Sequence, residues 1–301
     1  MRLVSFTRDG ERRVGGRANG GIVDLNAVAD DVPPDMLALL AGGDATLAAA
    51  RQALADGESR PDAQAPADAR LLPAVPHPPK IICIARNYAE HAAEANLELL
   101  EYPNIFIRYP RSLLADGDPI QVPTVSHEVD WEAELAVIIG KEGKHIPRER
   151  ALEHVAGYTV INDVSARTME WGTPGREASE WDLFFDWLNG KWPDGFAPTG
   201  PWLVTADEIP DPQVLHMTLT VNGTRHQDAS TADMLFSVAE LIAFSSRFMT
   251  LEPGDTYATG TPSGVGDASG IYLKDGDVME ATIDGIGTLV TPVGTGAAVP
   301  A

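Results

Sequence analysis

The chain is poor in cysteine, because Cys83 is the only one among its 301 residues. A single thiol cannot form an internal disulfide, which agrees with a reducing compartment. Cys83 lies inside the apolar run Ile81–Ile84, and neither of its neighbours in the sequence is basic. A buried core position is therefore predicted for it rather than a nucleophilic role.

Basic residues are also scarce, since 22 Lys and Arg stand against 44 Asp and Glu, giving a net charge of −22. Such a surface repels phosphate backbones and anionic lipids, which argues against nucleic-acid and membrane partners. Solubility is the main interpretation of the charge, and adaptation to high salt stays open. No apolar run approaches the roughly 18 residues of a membrane span, and Met1–Arg13 lacks a signal-peptide core. A cytoplasmic location is expected.

Residues 1–72 are predicted to form a small N-terminal α/β domain. Two strands, Arg2–Thr7 and Gly21–Leu25, flank a glycine-rich stretch that is typical of a turn. A helix is predicted to begin after a cap at Asp44 and to stop at Gly57. Four prolines within 71–79 break any helix or central strand, so 73–79 is predicted to be a linker.

From residue 80 onwards, short β-type segments alternate with Gly and Pro. Many strands, few helices and no regular strand–helix alternation argue against a doubly wound sheet. An α+β, mostly β fold is predicted for 80–294, a mixed β-roll or barrel with few peripheral helices, followed by a tail at 295–301. The predicted strands are Ile81–Ile84, Ile105–Arg108, Ala133–Ile139, Tyr158–Ile161, His216–Val221, Thr256–Ala258, Val278–Ile283 and Gly287–Val290, and the predicted helices are Tyr88–Asn96, Arg148–Glu153 and Thr231–Phe248.

Two glutamates stand on one predicted strand. Side chains alternate between the faces of a strand, so Glu132 and Glu134 project from the same side, about 7 Å apart along the backbone. Neighbouring like charges repel each other, and a bound cation would remove the conflict. Asp163 ends the next apolar strand, and three carboxylates suit a hard cation such as Mg²⁺, Mn²⁺ or Ca²⁺. The alternative is an exposed edge strand with solvated glutamates.

Three weaker motifs accompany these carboxylates. On a helix over Tyr88–Asn96, His91 and Glu94 share a face, an arrangement that can make a general base, although a surface pair is the common alternative. The glycine-rich segment Thr259–Gly266 could bring backbone N–H groups to an oxyanion, but an ordinary tight turn explains it equally. Lys191 could neutralise a substrate carboxylate, or it is simply solvated.

Taken together and in this order, the motifs resemble the fumarylacetoacetate hydrolase family. The resemblance spans residues 78–292, and the N-terminal unit also looks like that of bacterial members. It is carried by KIICIARNYAEHAAE (80–94), DWEAELAVIIGK (130–141), AGYTVINDVSAR (156–167), DGFAPTGPWLVT (194–205), VNG (221–223), PGD (253–255), TGTPSGVG (259–266) and LKDGD (273–277).

The resemblance implies a β-roll enzyme, usually a homodimer, with Mg²⁺ or Mn²⁺ (Ca²⁺ being a third option) on Glu132, Glu134 and Asp163. His91 and Glu94 would lie in a lid and activate water, with Lys191 as a third catalytic residue. The substrate-binding residues that it implies are Arg86, Tyr88, Arg167, Glu170, Lys191, Gly260 and Thr261.

The resemblance also implies a small oxo-acid substrate, with two readings of the reaction. The leading one is metal-dependent hydrolysis of a C–C bond in a β-diketo or 2,4-dioxo acid such as an acylpyruvate. The alternative uses the same site as an isomerase, tautomerase or decarboxylase of a 2-hydroxymuconate-like or oxaloacetate-like acid.

The sequence departs from the family pattern beside two of these residues. Thr168 and Glu170 stand where relatives usually have Asp and Gln, and the extra acid at Glu170 would repel a carboxylated substrate tail. Trp192-Pro193 changes the wall beside Lys191. The aromatic-rich segment 169–189 is longer than in short relatives and is interpreted as an apolar pocket for a bulky or aromatic substrate.

Overall fold

The computed structural model describes residues 1–18, 20–94, 96–173 and 175–295. This part of the chain is mostly β-structure with six α-helices. The strands are β1 (Arg2–Arg8), β2 (Glu11–Ala18), β3 (Gly21–Asp24), β4 (Arg70–Leu71), β5 (Ile81–Ala85), β6 (Asn104–Arg108), β7 (Leu113–Leu114), β8 (Ile120–Val122), β9 (Val129–Asp130), β10 (Ala133–Ile139), β11 (Val155–Asn162), β12 (Ser165–Ala166), β13 (Ala197–Thr205), β14 (His216–Val221), β15 (Thr224–Ser230), β16 (Thr256–Ala258), β17 (Val278–Ile283) and β18 (Gly287–Thr295). The helices are α1 (Met36–Ala41), α2 (Gly43–Gly57), α3 (Ala89–Glu94), α4 (Glu180–Gly190), α5 (Val238–Ser245) and α6 (Gly266–Ser269).

Two large sheets organise the molecule. The larger runs in the order β3-β2-β1-β13-β11-β10-β16-β5-β6, with β4 beside β1 and β7 beside β13, and the smaller runs β15-β14-β17-β18-β8. Leu135 and Val160 of the first sheet share one buried cluster with Leu219 and Ala281 of the second. Each path begins and ends at an edge strand, so neither sheet closes into a barrel within the described residues. The mostly β prediction is confirmed, in the form of open mixed sheets.

Strand β10 carries a different set of residues on each face. Ala133, Leu135, Val137 and Ile139 belong to the main core, as strand alternation predicts. Glu134 projects from the opposite face, which is also covered, because every residue of β10 is buried. The strand lies between β11 and β16, at the centre of its sheet. The exposed-edge alternative for the two glutamates is therefore wrong.

The N-terminal segment has its own apolar cluster but no sheet of its own. Leu25, Leu39 and Ala53 pack together in that cluster. Strand β1 pairs antiparallel with β13, so β1–β4 extend the large sheet of the rest of the chain. The boundaries at 1–72, 73–79 and 80–294 stay predictions. The predicted tail at 295–301 lies outside the described residues, apart from Thr295 at the end of β18.

Two N-terminal expectations are wrong. Of the predicted turn glycines, Gly15 and Gly16 lie in strand β2, where a Cβ at Gly15 would lie 2.5 Å from Ile22 Cγ2, and only Gly20, with φ +82°, lies in a turn, directly before β3. Asp44 does not cap α2, because Gly42 holds that position. Asp44 lies in the first turn, where a negative charge stabilises the helix dipole.

The predicted helices are present, with two of them shorter than expected and the third of a different type. The one expected over Thr231–Phe248 is reduced to α5, because a capping box between Ser237 and Glu240 fixes its start. The one expected over Arg148–Glu153 is a 3₁₀ helix over Arg148–His154. None of the helices in the described ranges is long and apolar enough to cross a bilayer.

Candidate metal centre and active site

Three buried carboxylates meet at one end of β10 and β11. Glu132 precedes β10, Glu134 lies within it, and Asp163 follows β11. One oxygen of each lies within 4.8 Å of the others. Asn162 helps to fix the arrangement, because its Oδ1 accepts a hydrogen bond from the Glu132 backbone at 2.9 Å, and the Asp163 N–H donates to the Glu132 carbonyl at 2.8 Å. The predicted set thus converges in space.

Basic side chains surround two of the three carboxylates. Lys191 Nζ donates to Glu132 Oε2 at 2.7 Å and to Asp163 Oδ2 at 2.6 Å. Arg167 donates to Glu132 Oε1 at 2.7 Å and grips Asp130 with two hydrogen bonds of 2.7 and 3.0 Å. Arg167 and Lys191, predicted as substrate contacts, therefore bind the carboxylate cluster in this structure.

Arg108, at the end of β6, is a third basic residue that contacts the carboxylate cluster. Its side chain is fully buried and donates to the Asp163 carboxylate and to the carbonyls of Lys191 and Val164. One guanidinium thus ties a metal-ligand candidate to the backbone of two neighbouring segments. The sequence alone does not identify Arg108 as a site residue, since an arginine that ends an apolar strand gives no sign of which partners it will contact.

The glutamates differ in electrostatic environment. Burial opposes ionisation of Glu132, but Lys191 and Arg167 outweigh it and lower the pKa of this carboxyl below its usual range. Burial raises the pKa of Glu134 well above its ordinary value, and the charges of Asp163 and Glu132 raise it further. The Gly260 N–H donates to Glu134 at 2.7 Å, but no basic side chain of the described residues does so.

The donor set fits a divalent cation. Asp130, Glu132, Glu134 and Asp163 place four buried acids against the three cations Arg108, Arg167 and Lys191. A buried carboxylate without a basic partner is costly, and a cation beside Glu134 would compensate it. The all-oxygen donor set matches the preference of Mg²⁺, Mn²⁺ and Ca²⁺.

The predicted His–Glu pair is present in α3. His91 Nδ1 lies 2.8 Å from Glu94 Oε1, and both side chains are largely buried. Glu94 also accepts a hydrogen bond from the Gly264 N–H at 2.9 Å, so α3 is held against the Thr259–Gly266 segment. His91 lies close enough to Glu132 to lower its pKa electrostatically. The solvated surface-pair alternative does not describe this arrangement.

The glycine-rich segment supports the cluster from the backbone. Gly260 has φ +95°, and a Cβ there would lie 2.6 Å from Asn87 Cβ, so only glycine fits. Thr261 Oγ1 donates to the Ala133 carbonyl and accepts from Gln227 Nε2 at 2.8 Å. These contacts position Glu134 and β10, and direct substrate contact by Gly260 and Thr261 stays a prediction.

The remaining predicted substrate-binding residues, Tyr88, Arg86 and Glu170, differ in burial and in their contacts. The hydroxyl of Tyr88 is buried and has no hydrogen-bond partner among the residues that the structure describes, which leaves it available to a ligand. Arg86 has φ +56° and no ion pair within the described residues. Glu170 is more than half exposed and faces His127 at 3.8 Å. Its role in substrate binding stays a prediction that no contact with the cluster supports in the described chain.

Cys83 is a core residue, as predicted. It packs with Ala136, Ile161 and Ala258, and Ala136 shares its strand face with Glu134. Burial raises the pKa of its thiol, and the nearby charge of Asp163 acts in the same direction. A nucleophilic thiolate is therefore disfavoured.

The described geometry agrees with known proteins. Residues 80–294 match the family model described as "Fumarylacetoacetate (FAA) hydrolase C-terminal". The chain is 42% identical over 299 residues to oxaloacetate tautomerase fahd2, mitochondrial, of Xenopus laevis, covering 97% of this chain and 90% of that protein.

Two solved structures show the same fold. Maleylpyruvate hydrolase from Sphingobium sp. SYK-6, in complex with manganese(II) ion and pyruvate, has a TM-score of 0.79 and 32% identity, covering 99% of this chain and 100% of that one. The 5-carboxymethyl-2-hydroxymuconate delta-isomerase from Mycobacterium smegmatis has a TM-score of 0.73 and 30% identity, with 99% and 100% covered. With its buried carboxylates, its sheet order and these matches, the chain belongs to the fumarylacetoacetate hydrolase family.

Proposed function

We propose that this chain is a divalent-cation-dependent tautomerase that interconverts the keto and enol forms of a 2-oxo acid of the oxaloacetate class. The supporting observation is the joint presence of three buried carboxylates and a His91–Glu94 pair. The Xenopus laevis relative, which is named for this activity, matches nearly the whole chain. Tautomerisation, the alternative reading of the sequence, is thereby favoured over C–C hydrolysis.

His91 is the base of the proposed reaction. Because its Nδ1 faces the Glu94 carboxylate at 2.8 Å, Nδ1 carries the ring hydrogen and Nε2 is free to accept a proton. His91 removes a proton from C3, the electrons of that bond form the C2–C3 double bond as the C2=O π electrons move onto the oxygen, and this oxygen then takes the proton from the His91 imidazolium. Glu94 stabilises the imidazolium that forms between the two transfers.

A cation held by Glu132, Glu134 and Asp163 would polarise the 2-oxo group and stabilise the negative charge that develops on its oxygen. Lys191 and Arg167 add positive charge on the Glu132 side of the cluster and orient its carboxylates. The Tyr88 hydroxyl, which is buried and unpartnered in the described chain, would donate to a substrate oxygen.

Hydrolysis of a 2,4-dioxo acid is the second candidate. The solved maleylpyruvate hydrolase, with manganese and pyruvate bound, supports it. Here His91 would take a proton from water, the hydroxide would attack the distal carbonyl, and the C–C bond would break with its electrons passing to the 2-oxo fragment. That fragment would then gain a proton at carbon, leaving a free acid and pyruvate.

One set of assays separates these reactions. Enol-oxaloacetate diluted into buffer with protein and Mg²⁺ should lose its ultraviolet enol absorbance faster than in buffer alone. EDTA should abolish the acceleration, and added Mg²⁺ or Mn²⁺ should restore it. Acetylpyruvate converted to pyruvate and acetate, followed by NMR, would establish hydrolysis instead, whereas oxaloacetate converted to pyruvate and CO₂ would establish decarboxylation. Acceleration that survives EDTA would overturn the metal-centre proposal.

We also propose that the chain is a homodimer, as the family resemblance implies. The exposed side chains of Trp181 and Phe185, four residues apart on one face of α4, supply a surface suited to contact between copies. Light scattering during size-exclusion chromatography tests this assignment. The cytoplasmic location stays a prediction, and the Xenopus laevis relative is itself named as mitochondrial.

A further inference from the structure

A groove of about 740 Å³ lies beside the carboxylate cluster, and we call it the aromatic groove. Strand β6 supplies one wall, and helices α4 and α5 supply two others. Ten of its twelve lining residues are apolar or aromatic, and Arg86 is the one charged residue among them. The aromatic residues that line the groove are Tyr102, Phe106, Phe184, Trp187, Phe244 and Phe248.

The groove adjoins the metal-centre candidate through Phe106. Lys191 Nζ lies 5.6 Å from the centre of the Phe106 ring, and the same ammonium binds Glu132 and Asp163. Phe106 also meets Trp187 edge to face, with ring centres 5.1 Å apart. Phe106 therefore contacts both the cluster, through Lys191, and the aromatic wall of the groove.

The groove exposes more apolar surface than folding alone explains. Phe184 is 48% exposed and Phe248 is 57% exposed, and both line the same cavity. Contiguous exposed apolar surface marks a binding site, whereas scattered apolar side chains do not. A short dicarboxylic acid fills only a small part of this volume, which lies in the range of pockets for larger organic ligands.

Charge identifies the kind of occupant. Arg86 lines the groove without an ion pair among the described residues, on a chain with a net charge of −22. An unpaired cation beside aromatic walls suits an organic anion that combines a carboxylate with an apolar body. Arg86 also lies two residues before Tyr88, whose buried hydroxyl has no partner within the described part of the chain.

We propose that the aromatic groove binds an aryl substituent carried by the 2-oxo acid at its end remote from the carboxylate cluster. The inference rests on the function proposed above and narrows its substrate class to aryl-substituted 2-oxo acids. Burial of a phenyl ring between Phe184, Trp187 and Phe106 should tighten binding about tenfold or more.

Two acids that differ by one phenyl group test this inference. Isothermal titration of the Mn²⁺-loaded protein should show 4-phenyl-2-oxobutanoate binding at least about tenfold more tightly than 2-oxobutanoate. Both share the 2-oxo carboxylate, and neither has the 4-oxo group that C–C hydrolysis requires. Equal affinities would overturn the groove assignment while leaving the metal centre intact. Failure of both acids to bind would overturn the metal-centre proposal and this inference with it.

A matched pair of variants on α4 locates the effect. Phe184→Asp places a charge in the groove and should reduce the affinity ratio to near one. Leu183→Asp makes the same change on the neighbouring residue, which is 58% exposed and does not line the groove, and should keep the ratio. An equal fall of the affinity ratio in both variants would show that α4 acts through assembly or folding, and it would overturn the assignment. An unchanged affinity ratio in Phe184→Asp would also overturn it.

Discussion

Glu132 and Glu134 have opposite electrostatic environments although one residue separates them. Glu132 binds Lys191 and Arg167, whereas Glu134 receives one backbone hydrogen bond from Gly260. Removing either carboxylate charge should weaken cation binding, and the two removals should have opposite effects on the stability of the metal-free protein. This contrast separates a metal-ligand role from a structural one.

Replacement of each glutamate by glutamine tests this contrast. Glu134→Gln should raise the melting temperature of the EDTA-treated protein, because it removes a buried carboxyl whose ionisation is opposed by burial and by Asp163 and Glu132, and it keeps the acceptor for Gly260. Glu132→Gln should lower its stability by about 2–4 kcal/mol, because two buried cations lose a partner. Both variants should lose Mn²⁺ binding in a calorimetric titration. Unimpaired Mn²⁺ affinity in Glu134→Gln would remove it from the ligand set.

His91→Ala should lower turnover by about 10²–10⁴-fold while the protein still binds its cation. The reason is that His91 accepts the proton and is not among the carboxylate donors. Enol-oxaloacetate kinetics and Mn²⁺ titration provide the two measurements. Glu94→Gln serves as the companion variant and should reduce turnover less steeply. Loss of the cation from His91→Ala would show that α3 belongs to the metal centre.

At the residue scale, sequence reasoning identified the side chains that project from regular elements. Alternation on β10 was enough to place Glu132 and Glu134 together, and helical spacing was enough to pair His91 with Glu94. The partners of Arg167 and Arg108 could not be predicted from the sequence, because these contacts depend on how segments distant in the chain pack together. Asp130, for example, is 37 residues from Arg167 in the chain.

Among the elements, α4 determines where Lys191 lies. Gly190 ends this helix, and a Cβ there would lie 2.0 Å from the Ala166 carbonyl oxygen on β12. Gly190→Ala should destabilise the protein by about 1–3 kcal/mol and weaken cation binding, because the helix end must move. Thermal unfolding and Mn²⁺ titration measure both effects. Gly21→Ala, at a site with room for a Cβ, is the control and should change neither.

The start of β16 lies beside an ion pair between the half-buried Lys80 and the buried Asp255. Lys80 Nζ lies 2.9 Å from Asp255 Oδ2, and burial raises the pKa of Asp255 despite this partner. Without Lys80 this pKa would rise further, and a carboxyl with a raised folded-state pKa weakens folding as pH increases. Lys80→Met should therefore destabilise the protein by about 1–3 kcal/mol at pH 8 and by less at pH 5. Urea unfolding measures this, and a larger loss at pH 5 would contradict it.

Elements with clear alternation were predictable, and those fixed by packing or capping were not. The bounds of β10, β14, β16 and β17 agree with the sequence prediction residue for residue. Helix α4 was not predicted, although Ser179 and Asp182 form a capping box at its start. Because several of its apolar and aromatic side chains are exposed, the sequence of α4 does not show the usual alternation of an apolar and a polar helix face.

For the whole molecule, a net charge of −22 implies repulsion across the surface. Raising NaCl from about 0.01 to about 0.1 M shortens the screening length from roughly 30 to 10 Å. The melting temperature of the EDTA-treated protein should therefore rise by a few degrees, as measured by calorimetry. A lower melting temperature at the higher salt concentration would show that attractive ion pairs outweigh the repulsion.

The single cysteine gives this molecule a reporter at a useful place. Cys83 is buried in the sheet on the face that carries Glu134, and the chain has no other thiol to compete for a reagent. The alkylation rate of Cys83 in native buffer therefore reports how often the sheet beneath the carboxylate cluster opens far enough to expose this thiol. Comparing that rate with and without Mn²⁺ would show whether ion binding holds this part of the protein closed.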